Sequence, residues 1–418
     1  MTTTAVIGAG VSGLTAAHVL SRSTDVTLFE GEDRLGGHAH THDVPAAHGS
    51  VLAVDSGFIV HNERTYPHLL RLFDELGVET RPTEMSMSVT CSTCGLAYAG
   101  GRGAGGILAQ PGRVADPRFL RLLTEVPRFH RAARALLATE GAETTWGEFL
   151  SEGGYSAHFV HHFAVPLVSC VWSSTDTDAL AYPARHLFAF LDHHGMLSVK
   201  GSPTWRTVVG GSRTYVERLA ARLPDVRRSS PVTAVTRHSD GVDVTTAAGE
   251  VATFDQVVVA THADQALALL ADATTQEKQD LDAIGYSVNH TVLHRDASLL
   301  PSQRAARASW NHRTTCSGPV GDQGVTVSYW MNRLQGLPAG DDLVVTLNGA
   351  GLVDPASIVA EMSYAHPVFT TGAVAAAKRL RTAGGDRLAF AGAHMGWGFH
   401  EDGCRSGVEA AASLGASW

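Results

Sequence analysis

The sequence predicts an α/β fold in two interleaved domains, and three observations predict it. At the N-terminus a short apolar strand runs into a glycine triplet and a small-residue helix, in "TTAVIGAGVSGLTAAHVL". At the C-terminus a strand, a glycine turn and a second small-residue helix follow one another, in "FAGAHMGWGFHEDGCRSGVEAAASLG". Between them lie alternating, Gly/Asp-punctuated stretches and a mostly helical region. A chain of 418 residues is too long for one ordinary core and suits two.

The N-terminal stretch carries the strongest signal. A strand from Ala5 to Ile7 leads into Gly8, Ala9, Gly10, Val11, Ser12 and Gly13, with a helix expected from about Ser12 to Ser21. Gly8 permits a tight turn, Gly10 lets backbone approach a pyrophosphate, and Gly13 lets the helix pack closely on the strand. The helix N-terminus offers free N–H groups and a positive dipole end to phosphates. A second strand, Val26 to Phe29, ends at Glu30 and Gly31, and Glu30 stands 17 residues after Gly13. An acid there holds both ribose hydroxyls of an adenosine and disfavours a 2′-phosphate. Strand, triplet, helix, strand and acid in this order mark a Rossmann-type site for FAD or NAD. In the following "RLGGHAHT", Arg34 can reach the phosphates, and Gly36 and Gly37 allow a second close approach of backbone, next to His38.

Bulk properties exclude other classes. Net charge is −9 with no Lys/Arg-rich run, which argues against nucleic acid as a partner. Five cysteines do not suggest a disulfide framework. The opening residues show no charged leader, and no run of about 18 apolar residues exists, so a cytoplasmic protein is expected. Contact with a membrane through a surface patch remains compatible with this composition.

"IGAGVSGL", "FEGEDRLGGHAHT", "VVGGSRTYVERLA", "VVVATHADQAL" and the C-terminal "FAGAHMGWGFHEDGCRSGVEAA" together resemble the flavin amine oxidase and phytoene desaturase superfamily. Within it the chain looks most like bacterial FAD-binding proteins often encoded beside cyclopropane fatty-acid synthases, and it is similar to the oxidase-like domain of plant cyclopropane synthases. The resemblance implies FAD and a glutathione-reductase-like FAD-binding domain interleaved with a substrate domain of mixed sheet and helical cap. The pieces are expected at 1–70, 205–265 and 355–418 for FAD, and at 71–204 and 266–354 for the substrate. "VLAVDSGFIV" reads as a strand broken at Gly57, before Phe58, and "GGRGAGGILAQPG" as a flexible loop. The resemblance also assigns the Val232 backbone to adenine, and Gly392, Gly403 and Cys404 to the flavin end. It implies a final helix beginning near Gly403, with Gly403, Ser406 and Gly407 letting it approach the flavin, and His400 and Glu401 as proton-handling groups.

Two departures bear on the chemistry the resemblance implies. Many amine oxidases carry a lysine beside the flavin, and the matching stretch here, "VNHTVLHRD", puts His290 in its place. Those enzymes also have an aromatic cage residue where this chain has Cys404. The expectation is therefore an FAD-dependent oxidoreductase taking hydride from a small apolar substrate, such as an unsaturated or modified acyl chain or a polyene. The alternatives are an amine oxidase with an altered site, a flavin-dependent double-bond isomerase, and a non-catalytic, flavin-stabilised partner of a lipid methyltransferase.

Other candidates read as structural. Cys91 and Cys94 in "CSTCG" suggest a dithiol or half a zinc site, but no second CxxC exists, so a hairpin turn without metal is expected. In "HAHTH", His38, His40 and His42 read as cofactor lining and strand alternation. "HFVHHFAVPLVSCVW" fits either a tunnel for an apolar substrate or a buried cap helix.

Overall fold

The computed structural model describes residues 1–46, 49–141, 143–172, 176–198, 201–317, 326–349 and 351–418. Its organising element is a five-stranded parallel sheet in the order Asp225–Arg227, Asp25–Phe29, Thr3–Ile7, Gln256–Val259, Leu388–Phe390. The inner strands Thr3–Ile7, Gln256–Val259 and the neighbouring Leu388–Phe390 are largely buried on both faces and read as mostly apolar runs, as parallel strands do. Alternation divides them between two cores. Val6, Leu28, Val258 and Ala389 face the helices Val11–Leu20, Pro67–Leu76, Arg213–Ala220 and His400–Ser413. Ala5, Ile7, Phe29, Val257, Val259 and Phe390 face a three-stranded antiparallel sheet over residues 232–254 and the helices Ala263–Leu269 and Thr371–Leu380.

A seven-stranded mixed sheet forms the second unit, in the order Ile358–Pro367, Tyr286–His294, Val344–Leu347, Thr326–Trp330, Trp310–Thr314, Met87–Cys91, Ala97–Gly100. Of the stretch "GVTVSYWMN", read as a strand, its first two residues lie outside the described residues. A helical cap covers it, from Pro117–Leu137 to Ala184–His193, around an aromatic core of Phe129, Trp146, Phe159 and Phe188. "HFVHHFAVPLVSCVW" sends Phe159, Val168 and Trp172 into that core, which favours the buried-helix reading over the tunnel. Among the described residues no helix is long and apolar enough to cross a membrane.

Two expectations need correction. The glycine-rich stretch 100–112 is ordered, with a helix at Gly103–Ile107 after the strand Ala97–Gly100. Gly101 and Gly106 serve tight contacts there: a Cβ on Gly106 would lie 2.7 Å from the Ala99 carbonyl oxygen, and one on Gly101 2.9 Å from the Met85 carbonyl oxygen. The strand from Val51 ends at Asp55, just ahead of the break expected at Gly57, where a Cβ would collide with the His38 backbone, but it does not resume over residues 58–60 as expected.

Candidate FAD site

The carboxyl ends of the parallel strands converge on one crevice, where such sheets bind ligands. The first strand ends at Gly8, whose φ of +98° is the left-handed region, and a Cβ there would lie 2.8 Å from the Ala260 carbonyl oxygen. A Cβ on Gly13 would collide with the Gly8 carbonyl. Gly10 differs: nothing lies within 4 Å of where its Cβ would be. Two glycines are thus required by protein packing, and the third opens onto empty space at the start of the helix Val11–Leu20. That is a cradle for a pyrophosphate. Gly36 and Gly37, both at positive φ, close its far side; the Gly36 amide donates to the Ala9 carbonyl at 2.8 Å, and Gly37 approaches Gly10 directly.

Glu30 is half-buried beside this loop. Its carboxylate accepts from the Ala9 amide at 2.8 Å and the Glu32 amide at 3.0 Å, which holds it at the loop with lone pairs left for ribose hydroxyls. Arg34 is turned away from the predicted phosphate contact, donating to the Leu35 and Ala39 carbonyls and pairing with Glu32 at 3.2 Å. The Ser230 amide donates to the Glu30 carbonyl at 2.8 Å, and Pro231 packs beside Gly31, which brings the Val232 backbone to the adenosine end.

The end of the crevice that the resemblance gives to the flavin is lined by His38, Phe58 and residues the sequence did not single out. The Nε2 of His38 is buried without a partner, while the Ala365 backbone holds the ring's other side. Around it stand Tyr364, His366 and His262, at ring separations of 5.0, 5.4 and 6.0 Å. His366 Nδ1 accepts from the Asn289 side-chain amide at 3.0 Å, and Tyr286 joins His394 at 3.1 Å and stacks on His262. Burial lowers the pKa of every one of these imidazoles, His366 to about 4 and His394 to about 3, so all are neutral at pH 7. An unpartnered buried acceptor beside an open glycine cradle fits a bound dinucleotide. His40 and His42 instead stack on each other at 4.1 Å and bond Tyr364 and Ser56.

Several predicted residues lie elsewhere than expected. The final helix starts at His400, not near Gly403, and its Phe399 amide donates to the Asp402 carboxylate at 3.1 Å. The His400 ring stacks on Phe58 at 3.6 Å and bonds the Tyr215 hydroxyl at 2.8 Å; burial lowers its pKa to about 3, which unfits it as a base. Glu401 has both oxygens turned onto the amides of His68 and Leu69, so its carboxylate is a helix cap rather than a proton carrier. A Cβ on Gly403 would lie 2.5 Å from Val11 Cγ1, and one on Gly407 would collide with the Ser12 carbonyl. These glycines therefore let the final helix cross the glycine-loop helix closely. Cys404 is buried at the same crossing, taking a contact from the Thr15 hydroxyl at 3.6 Å. Gly392 makes the turn after the last strand, packed against the His394 ring, with its amide on Ser406 Oγ.

His290 is displaced by one residue. Asn289 pairs across the sheet with Tyr364, and together they face the His38 cluster. His290 points to the opposite face, half-exposed, 3.7 Å from Glu361. Alternation along the strand Tyr286–His294 therefore puts Asn289, not His290, on the cofactor side.

Residues 11–294 match the family described as flavin containing amine oxidoreductase. The chain belongs to this family. Members are FAD-dependent oxidoreductases, so FAD is the group whose cradle the glycine loop forms. The flavin family fold extends over the whole chain. Cyclohexylamine oxidase from Brevibacterium oxydans IH-35A is 17% identical, with a TM-score of 0.69, over 99% of this chain and 98% of that one. A putrescine oxidase with putrescine bound is 16% identical with a TM-score of 0.70, over 99% and 98%. A fatty acid isomerase from P. acnes that produces CLA is 19% identical with a TM-score of 0.68, over 97% of each. None of the curated proteins compared with the chain matches it.

Proposed function

We propose that the protein oxidises a neutral, apolar substrate, such as an unsaturated or modified acyl chain or a polyene, at a carbon held against the flavin. The observation that carries this reading is the set of neutral imidazoles and tyrosines around His38, with no carboxylate among the side chains named there to pair with an ammonium group. Glu401 and Asp402, the acids placed nearest in the sequence, are both committed to backbone amides. Bringing an ammonium group into such a wall without a carboxylate partner costs several kcal/mol. The aromatic side chains of Phe369, Trp397 and Phe399, packed on the cap core, supply an apolar surface instead.

Bound FAD supplies a two-electron acceptor. The glycine loop and Glu30 would hold its phosphates and ribose, and His38 Nε2 is a buried, unpartnered acceptor that would be available to it. The substrate is oriented between the strand bearing Asn289 and the aromatic residues of the final turn. The likeness to a fatty acid isomerase supports an acyl-chain substrate, and the same site without net oxidation would move a double bond. The partner reading, a lipid enzyme that this chain serves, would leave the site silent.

Anaerobic mixing of FAD-loaded protein with unsaturated acyl lipids, polyenes and amines, separately, tests the reading. Bleaching of the visible flavin band by an acyl lipid or polyene is expected. Bleaching by amines alone overturns it. A shifted double bond with dithionite-reduced protein, and no bleaching, replaces oxidation with isomerisation.

A further inference from the structure

We propose that Cys91, Cys94, Cys316 and His162 form a structural zinc site that staples the cap helices to the edge of the substrate sheet. Their ligand atoms, Sγ of the three cysteines and a ring nitrogen of the histidine, all lie within 4.8 Å of one another. Three thiolates and an imidazole are a donor set that selects zinc, and four protein ligands close the coordination sphere, as in structural rather than catalytic sites.

The geometry is close to that of the loaded site. Zinc–sulfur bonds of about 2.3 Å and zinc–nitrogen bonds of about 2.0 Å in a tetrahedron place sulfur and nitrogen about 3.5 Å apart and two sulfurs about 3.8 Å apart. Cys94 Sγ lies 3.5 Å from His162 Nε2. Closing the widest separation requires side-chain movement of about 1 Å, within reach of a χ1 adjustment.

The surroundings prepare each ligand. His162 Nδ1 bonds the His158 carbonyl at 2.9 Å, which makes Nδ1 the protonated nitrogen and leaves the Nε2 lone pair facing Cys94. The CSTCG segment is the turn between Met87–Cys91 and Ala97–Gly100. Gly95, at a φ of +69°, lets it fold back, and its amide donates to the Cys91 carbonyl at 3.0 Å. Arg113 fixes the Cys94 carbonyl at 2.7 Å, placing a guanidinium beside a site whose net charge with zinc is −1. Cys316 follows the strand Trp310–Thr314, which pairs with Met87–Cys91 in register from Trp310 opposite Met87 to Thr314 opposite Cys91. That register carries Cys316 past the end of the strand to the turn.

A second CxxC is therefore unnecessary: the missing two ligands come from the cap, 68 residues after Cys94, and from the segment that follows a strand of the same sheet. None of the five cysteines is in a disulfide. Binding releases up to three thiol protons and involves no change of oxidation state. Because His162 belongs to the cap segment Val160–Ala164, the ion ties three separate parts of the chain together.

Metal analysis of FAD-loaded protein, purified without chelators from zinc-supplemented cells, is the first test. The expected result is about one zinc per chain, falling at least tenfold in Cys94→Ser and Cys316→Ser but retained in His161→Gln, whose ring is not in the cluster. If the cysteine variants fail to fold, wild-type protein with cobalt in place of zinc answers instead. Thiolate-to-cobalt charge transfer, and tetrahedral d–d bands at wavelengths beyond the flavin absorption, support the site. Wild-type protein that holds less than about a tenth of an equivalent of zinc and takes up neither metal after thiol reduction overturns the proposal. A disulfide among Cys91, Cys94 and Cys316 in the native, metal-free protein overturns it too.

Discussion

Glu401 and His68 are joined twice, through the His68 amide at 3.1 Å and its ring Nδ1 at 2.7 Å, while the second Glu401 oxygen takes the Leu69 amide at 3.0 Å. One carboxylate in the final helix thereby caps the helix Pro67–Leu76, and docks it beside the glycine-loop domain. A Glu401→Gln substitution turns an amide NH2 toward a backbone N–H and leaves that donor buried without an acceptor. The expected loss of stability is about 1–3 kcal/mol, read from urea unfolding. The rate of flavin reduction by substrate in the folded fraction should stay within about threefold, whereas a proton carrier at this position would lose about a hundredfold or more.

Gly407 faces the Ser12 carbonyl across the crossing of the first and last helices. Gly407→Ala forces these helices apart, at an expected cost of about 1–3 kcal/mol. Because the clash is between protein atoms, the melting temperature should fall in FAD-free and FAD-loaded protein alike. A fall confined to the FAD-loaded form would return Gly407 to the cofactor.

The N-terminal half of the site was legible because each residue there answers to local backbone geometry. Gly8, Gly13, Gly36 and Glu30 lie within a single strand–turn–helix–strand unit, and their spacing alone places them. The C-terminal motif was read as facing the flavin, yet Gly403, Cys404 and Gly407 meet the helix Val11–Leu20. A small-residue stripe serves a helix crossing as well as a ligand, and the sequence does not say which surface approaches. His262, His366 and His394 were missed for a related reason: they come from three elements, the first more than 100 residues before the other two, and only the tertiary fold gathers them. Their one local signal was alternation. Tyr364 and His366 stand two apart on a strand, as Ser287 and Asn289 do opposite them.

Asn289 and His290 are neighbours on opposite faces of one strand, so a paired substitution reports which face meets the cofactor. Asn289→Ala removes the partner of His366 and should slow substrate-dependent flavin reduction by about tenfold, or shift the flavin spectrum, with FAD still bound. His290→Ala should leave both unchanged within about twofold. The opposite pattern would mean that the strand is shifted by one residue in register.

His38 Nε2 is the buried acceptor that a bound cofactor would satisfy. His38→Leu keeps the bulk and removes the acceptor. FAD should then bind about tenfold more weakly, the equivalent of one lost hydrogen bond of about 1.4 kcal/mol. Fluorescence recovery on flavin release measures this directly. Unchanged affinity would separate His38 from the cofactor.

The buried imidazoles set the response to acid. His366 at about 4, and His394 and His400 at about 3, are all held below their unfolded value near 6.5 chiefly by burial. Between those limits the unfolded chain binds more protons than the folded one, so stability rises with pH. It is fully present above about 6.5 and is lost as the pH falls toward 4. Asp55 and Asp402 act in the opposite sense, since burial raises each to about 6 and the folded state takes up their protons as the pH falls. The histidines outnumber them, His40, His61, His194 and His312 being lowered by burial as well. The urea midpoint of the FAD-loaded protein should therefore drop steadily from pH 7 to pH 5. A midpoint that rose over that interval would mean that the two aspartates dominate, and that the imidazoles around His38 are charged or exposed in the folded protein.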